Sequence, residues 1–236
     1  MVCSASILYL PHRNFRRFEN KVKEARKRQV KEVRKKMCEE FLGGTSCRDV
    51  NNQAVFTLKG KPLNVWDLKR DIVYKNDEMY NLMQSLNIED NIEGLRYDKV
   101  ILATDADVDG LHIRNLMITY FFRFFEQVVQ DGHLYVLETP LFRVRNKRET
   151  ISCYSEAERD AASAKLGGKP EITRFKGLGE ISPNEFKQFI SKEMRLSQVE
   201  YAPKVDSQQI LSFYMGKNTP ERKDYIMENL VVTVEE

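Results

Sequence analysis

The sequence lacks paired cysteines, zinc-ligand spacing and long apolar runs. Its four cysteines include no C-x-x-C pair, and its three histidines supply no zinc spacing, so we expect reduced thiols and no structural zinc. The apolar stretch 7–10 is too short for a signal-peptide core, and no window approaches the roughly 18 apolar residues of a membrane span. These absences exclude disulfide scaffolds and membrane-spanning proteins, and they predict a cytoplasmic protein without a membrane partner.

Positive charge is concentrated near the start of the chain. The whole 236-residue sequence carries a net charge of only +3, but residues 13–36 hold twelve Lys and Arg against three Glu. That segment therefore carries +9 and the remainder −6. A basic arm on a mildly acidic body indicates contact with a polyanion. A solvated, charged helix explains the same pattern, and the composition leaves both interpretations open.

Hydrophobic periodicity predicts a mixed α/β protein. Residues 1–12 are expected to be irregular, and residues 13–40 are predicted to form a long basic helix with a thin apolar stripe. Predicted strands cover 54–58, 99–103, 133–137, 141–145, 150–154 and the E-I-T-R segment, and predicted helices cover 77–87, 111–130, 156–166 and segments starting at 183, 206 and 220. The succession strand, loop, helix, strand over 99–137 is the unit of a parallel sheet.

Three aspartates follow the central predicted strand in the run T-D-A-D-V-D-G, residues 104–110. Ligands bind to such sheets at the carboxyl ends of the strands. An EF-hand calcium loop would need a glutamate at its twelfth position, which here is Leu116, and an entering helix instead of a strand. Mg²⁺ held by one or two carboxylates and by phosphate oxygens fits better. The alternative is a charge cluster that stabilises the start of the next helix.

Two basic, glycine-containing segments flank the aspartate run in the sequence. K-G-K-P-L-N contains Lys59, Lys61 and Asn64, and R-F-K-G-L-G contains Arg174 and Lys176. Such loops let backbone amides and cationic side chains approach a phosphate together. Each segment alone is a weak signal, but the combination predicts an acidic metal site bordered by nucleic-acid-binding loops.

Three segments together resemble a known family. T-D-A-D-V-D-G-L-H-I-R, Q-A-V-F-T-L-K-G-K-P-L-N and R-F-K-G-L-G-E-I-S-P are similar to the TOPRIM region and tail of the B subunit of bacterial type IIA DNA topoisomerases, which are DNA gyrase and topoisomerase IV. The resemblance runs from about residue 43 to residue 229. It implies a TOPRIM fold, that is, a Rossmann-like parallel sheet flanked by helices, here with a basic N-terminal helix and a helical C-terminal tail. The corresponding domains are 1–42, 43–145 and 146–236.

The resemblance also assigns roles to residues. Asp105 and Asp107 would hold Mg²⁺ and act in catalysis, with Asp109 assisting. DNA contacts would come from the two basic segments, and His112 and Arg114 would support the site from the following helix. A partner A subunit, in an A₂B₂ heterotetramer with the B subunit, would supply the tyrosine that attacks DNA.

Two parts of the family pattern are expected to be missing. The family has an E-G-D-S-A segment whose glutamate shares the metal and serves as general acid and base, whereas this sequence reads M-C-E-E-F-L-G-G-T-S-C-R-D-V there. The candidates to replace that glutamate are Glu39 and Glu40, but they precede the short apolar segment instead of following it. The ATPase that the family carries is also absent from these 236 residues, so we expect a fragment or truncated product with impaired cleavage.

Two other interpretations remain. One is a non-catalytic module that binds DNA or an A subunit. The other is a different Mg²⁺-dependent phosphoryl-transfer protein, such as a receiver domain or phosphatase, which would leave the two basic segments unexplained. The sequence does not separate topoisomerase IV from gyrase.

Overall fold

The computed structural model describes residues 5–11, 54–89, 91–191, 194–201 and 206–230. Eight strands lie in these residues: β1 Ala5–Pro11, β2 Ala54–Thr57, β3 Tyr97–Thr104, β4 Leu134–Leu137, β5 Phe142–Arg145, β6 Thr150–Cys153, β7 Glu171–Arg174 and β8 Leu196–Gln198. The α-helices are α1 Arg70–Val73, α2 Asp77–Leu86, α3 Val108–Phe124, α4 Glu126–Gln130, α5 Glu156–Leu166, α6 Pro183–Phe189, α7 Ser207–Met215 and α8 Thr219–Asn229. Short 3₁₀ turns cover Ile92–Gly94 and Leu178–Glu180.

The main sheet has five strands in the order β2-β1-β3-β4-β8. Strands β3 and β4 are parallel and are joined by α3 and α4, as the periodicity predicts, and the other neighbouring pairs are antiparallel. The prediction of an α/β fold with a parallel element is therefore confirmed.

The first strand corrects one prediction. Residues 1–12 were expected to be irregular, but β1 lies between β2 and β3 and is hydrogen-bonded to both. The expectation was wrong because a strand of seven residues carries little periodic signal, and its partners are distant in the chain. The predicted basic helix over 13–40 lies outside the described residues.

Strand β3 separates two hydrophobic layers because successive side chains point to opposite faces of a sheet. Val100 and Leu102 pack with α2 and α3, whose buried side chains include Leu82 and Phe121. On the other face, Ile101 and Ala103 pack against the segment 175–190. The central strand is thus covered on both sides, which explains its unbroken apolar sequence.

Helix α2 shows how the sequence sets its boundaries. The side chain of Asn76 accepts a hydrogen bond from the amide of Met79 and caps the amino end, and Asn87 ends the helix in the left-handed conformation. The predicted apolar face is buried, as Met79, Leu82, Met83 and Leu86 are each at most 1% exposed.

The predicted single helix over 111–130 is two helices. Phe125 interrupts it with φ −140° and ψ 48°, and its ring is buried against the core. Burying this aromatic ring compensates for the broken helical hydrogen bonds.

A second sheet contains β6, β5 and β7 in that order, all antiparallel, with α5 packed against it. Beyond β8, α7 and α8 expose most of their side chains, and no helix in the described segments is long and apolar enough to cross a membrane. The predicted domain boundaries stay predictions.

Candidate metal and nucleic-acid site

The register of the main sheet brings two of the predicted segments to one edge. Ser6 of β1 pairs with Thr57 of β2 on one side and with Ala103 of β3 on the other. Because β1 is antiparallel to both neighbours, β2 and β3 run in the same direction and end side by side. The K-G-K-P-L-N loop after β2 and the aspartate run after β3 therefore leave the sheet at the same edge.

Asp105, the first residue after β3, is buried, with 7% of its surface exposed. It continues the alternation of Ile101 and Ala103 and so faces the segment 175–190. Its Oδ1 accepts a hydrogen bond of 2.7 Å from the backbone amide of Leu178, in the R-F-K-G-L-G segment. This charge-assisted bond joins two of the three predicted segments.

Two glycines permit this close approach. A Cβ atom at Gly177 would lie 3.2 Å from the carboxylate of Asp105, and one at Gly110 would lie 2.1 Å from its backbone carbonyl oxygen. Any larger residue at Gly110 would push the start of α3 away from the end of β3. The glycine that closes the T-D-A-D-V-D-G run is therefore required by packing.

The other two aspartates have different surroundings. Asp107 is half-buried and forms the N-cap of α3, where its Oδ1 accepts a 2.7 Å hydrogen bond from the amide of Gly110. Asp109 is exposed in the first turn of the same helix. Capping and the helix dipole explain part of this acidic character, as the alternative interpretation held.

The K-G-K-P-L-N loop is fixed by its apolar ends. Leu58 and Val65 are buried in the core, and the backbone amide of Lys59 donates a 2.6 Å hydrogen bond to Glu78 Oε1 in the first turn of α2. The side chains of Lys59 and Lys61 are exposed and extend into solvent. This arrangement suits a phosphate contact made by flexible cations on a rigid loop.

Asn64 makes contacts within the protein. Its Nδ2 donates a 2.8 Å hydrogen bond to the carbonyl of Met215 at the end of α7, and its Oδ1 accepts one of 3.2 Å from the amide of Trp66. The predicted DNA-binding role of Asn64 therefore competes with a structural role that links the loop to the C-terminal helices.

His112 and Arg114 lie on the first turns of α3. Partial burial lowers the pKa of His112, the nearby ammonium of Lys61 lowers it further, and Asp109 raises it. Burial also lowers the pKa of Arg114. Both directions are those expected when the Lys61 ammonium and the Asp109 carboxylate lie near the imidazole of His112.

The R-F-K-G-L-G segment is anchored by Phe175 and Leu178, which are 5% and 1% exposed. Between them, Lys176 is exposed, and its amide donates a hydrogen bond of 2.9 Å to Glu180 Oε2. The guanidinium of Arg174 lies over the ring of Phe142 at 5.9 Å. Lys176 therefore lies in the segment that contacts Asp105, whereas Arg174 packs against the second sheet.

The donor set fits a Mg²⁺ site that substrate completes. Carboxylates are ligands that Mg²⁺ prefers, and a carboxylate has about four acceptor positions, so the hydrogen bonds from the Leu178 and Gly110 amides are compatible with a cation at Asp105 and Asp107. Within the described ranges, no group of three or more His, Cys, Asp or Glu could enclose a metal ion. A site built from one or two carboxylates, water and phosphate oxygens matches both observations.

The sequence missed the backbone partners of the site. The amide of Leu178 cannot be identified from residue type, since every residue except proline has one. The glycine preceding it was a usable signal, because a glycine between buried Phe175 and Leu178 marks a close backbone approach. Glu39 and Glu40, the candidate replacements for the missing glutamate, lie outside the described residues.

Comparison with family models gives two matches. Residues 19–139, just over half of the chain, match the Toprim domain. Residues 167–227 match the carboxyl terminus of the DNA gyrase B subunit.

Curated relatives agree with these matches. The chain is 56% identical over 187 residues to the B subunit of DNA topoisomerase 4 from Borreliella burgdorferi, covering 79% of this chain and 31% of that protein. It is 35% identical over 198 residues to the same protein from Francisella tularensis, covering 79% and 32%, and 35% identical over 192 residues to the DNA gyrase B subunit of Treponema denticola, covering 78% and 30%. The chain thus spans about a third of the length of these relatives.

Among solved structures, the DNA-binding, cleavage and re-ligation domain of Plasmodium falciparum topoisomerase II is similar. The TM-score is 0.62 at 27% identity, and the match covers 75% of this chain and 26% of that one.

Proposed function

This chain belongs to the Toprim family, and on that premise we propose that it is the Mg²⁺- and DNA-binding part of the B subunit of a type IIA topoisomerase. In this proposal it supports DNA cleavage and religation by the tyrosine of a partner A subunit, in the cytoplasm. Similarity to the B subunits of both topoisomerase IV and gyrase supports the proposal and leaves the choice between these two enzymes open.

One observation carries the proposal. The buried carboxylate of Asp105 follows the central strand and accepts a 2.7 Å hydrogen bond from the amide of Leu178. This contact between the aspartate run and the R-F-K-G-L-G segment supports assigning both to one site. A buried carboxylate held by a backbone amide has a fixed position, which is what a metal ligand needs in order to act on a bound phosphate.

The residues of the chain have distinct tasks in this function. A bound Mg²⁺ would polarise a phosphoryl oxygen and stabilise the leaving oxygen. Asp105 and Asp107 would hold that ion, with Asp109 at the exposed side. Lys59, Lys61, Arg174 and Lys176 would bind the DNA backbone on either side of the carboxylates, and His112 and Arg114 would support the start of α3.

A plasmid cleavage assay with the A subunit from the same genome tests this. We expect weak Mg²⁺-dependent double-strand cleavage by the wild-type chain, because the E-G-D-S-A glutamate is missing from its expected position. We expect none by Asp105→Asn, because its side-chain amide can still accept the Leu178 hydrogen bond but is a poor Mg²⁺ ligand. Asp131→Asn is the matched control. Asp131 follows α4, accepts a hydrogen bond from the side chain of Gln127 and lies outside the aspartate run. Equal cleavage by wild type and Asp105→Asn would contradict the proposal.

A second candidate function is a non-catalytic module that binds DNA or an A subunit. It is favoured by the segment M-C-E-E-F-L-G-G-T-S-C-R-D-V, which stands where the family has the E-G-D-S-A glutamate. This alternative predicts salt-dependent DNA binding in EDTA that equals binding in Mg²⁺, and no cleavage with any A subunit. A gel-shift titration in both conditions separates the two functions.

A further inference from the structure

An ion pair lies behind the R-F-K-G-L-G segment. Nη1 of Arg143, on β5, is 3.0 Å from Oε1 and 3.3 Å from Oε2 of Glu185, on α6, and their side chains are 20% and 28% exposed. Nε of Arg143 is enclosed and has no hydrogen-bond partner among the described residues. The positive charge of the guanidinium is therefore compensated by Glu185, and removing either partner leaves a poorly solvated charge.

The pair contacts the segment that holds Asp105. The guanidinium of Arg143 lies 5.4 Å from the centre of the Phe175 ring, which is buried. The amide of Phe175 donates to the carbonyl of Leu141 at 2.9 Å, so the segment is also tied to the second sheet. Three residues further on, Leu178 donates its amide to Asp105.

Glu185 has a second task. Its carboxylate accepts hydrogen bonds from the hydroxyl and the amide of Ser182, and its own amide donates a hydrogen bond to the Ser182 hydroxyl. Together these bonds form a capping box at the start of α6. Phe186 on the same helix is fully buried against the face that contains Leu178. The ion pair thus connects the second sheet, the start of α6 and the R-F-K-G-L-G segment.

We propose that Arg143 and Glu185 are positioning residues that fix the Leu178 amide against Asp105 and thereby set the affinity of the aspartates for a divalent cation. This inference rests on the proposed function, because it assigns a metal to these aspartates. Neither residue touches the reacting atoms; both act through Phe175 and Leu178.

A neighbouring pair supplies the matched control. Arg145 lies two residues further along β5, on the same face of the strand, and pairs with Glu171 at 2.9 Å. The side chains of this pair are 46% and 58% exposed, and they lie at the opposite end of β5 from Phe175. Exposed pairs of this kind contribute little.

The first measurement is amide exchange at Leu178 in Arg143→Lys, Glu185→Gln and the double variant. Gln can still form the capping box and Lys keeps the positive charge, so we expect these variants to fold. We expect exchange at Leu178 to become about three- to tenfold faster, less than additively in the double variant, as for residues in contact. Arg145→Lys and Glu171→Gln should leave it unchanged. Unchanged exchange at Leu178 in the Arg143 and Glu185 variants overturns the inference.

The second measurement is Mn²⁺ binding by electron paramagnetic resonance in the presence of a DNA duplex. We expect the dissociation constant to rise about three- to tenfold in the same variants, in parallel with the exchange rate. Faster exchange with an unchanged Mn²⁺ dissociation constant would show a merely structural pair and overturn the inference alone. A wild-type chain that binds no Mn²⁺ would overturn the proposed function and this inference with it.

Discussion

Replacing Gly110 by alanine tests how closely α3 approaches the end of β3. The new Cβ would lie 2.1 Å from the carbonyl oxygen of Asp105, about 1.3 Å inside ordinary van der Waals contact, and 2.7 Å and 2.9 Å from its backbone carbon and nitrogen. All three neighbours are backbone atoms at a strand end, so no side-chain rotation can relieve the overlap.

Two opposing effects determine the size of the change. Alanine in place of glycine within a helix stabilises it by roughly 0.5–1 kcal/mol, whereas overpacking a well-packed site costs about 1–3 kcal/mol. The contact with Asp105 is shorter than real Cβ atoms tolerate, so we place the steric cost at the upper limit. The net loss is about 2 kcal/mol, which lowers Tm by about 4–8 °C for a domain of this size.

Thermal unfolding followed by circular dichroism measures this loss, with Gly168→Ala as control. Gly168 has open space around its Cβ position but a φ of +68°, so alanine there should cost only about 1 kcal/mol of backbone strain. We also expect Gly110→Ala, and not Gly168→Ala, to weaken Mn²⁺ binding. The displacement of α3 from the end of β3 would move Asp107, which caps α3, away from Asp105. A Gly110→Ala protein with an unchanged or higher Tm would refute the close approach of α3 to β3.

Three further predictions concern the loops and the C-terminal helices. Lys61→Met should raise the pKa of His112 in an NMR titration, and an unchanged pKa would show that Lys61 does not act on the ring. Because folding lowers the pKa of His112, the wild-type protein should lose stability as the pH falls below 6.5, the ordinary pKa of a histidine. Asn64→Ala should speed amide exchange around Met215 at the end of α7 and cost about 1 kcal/mol, and unaltered exchange there would count against the observed hydrogen bond. Arg222→Ala should expose the link between α7 and α8 to limited proteolysis, since its guanidinium donates to three carbonyls at the end of α7; a cleavage pattern like that of wild type would contradict this.

The sequence predicts the β3-α3-β4 unit well because its signals are local. The apolar run before Asp105 and the helical spacing after it lie within about forty residues, and the parallel pairing of β3 with β4 follows from the connection length. Phe125 broke the predicted helix because a buried aromatic ring was favoured over continuous helical hydrogen bonds, and that preference depends on the core it enters.

The non-local parts of the site could not be read from the sequence. The contact between Asp105 and the amide of Leu178 spans 73 positions, and the glycine before Leu178 signals a close backbone approach without identifying its partner. The same holds for Asn64, whose amide predicted a DNA contact and which bonds Met215, 151 positions away. Side-chain type identifies which loops are candidates for the site, whereas tertiary packing decides what each polar group contacts.

The place of β1 in the sheet has a consequence for how this protein is made. Roughly 85 residues separate its apolar segment S-I-L-Y-L from β3, which at 5–20 residues per second leaves the ribosome roughly 4–17 s later. During that interval one side of β1 is an unpaired edge that can associate with other chains. We therefore expect the yield of this protein in bacterial expression to depend on translation speed and chaperone supply more strongly than its native stability suggests.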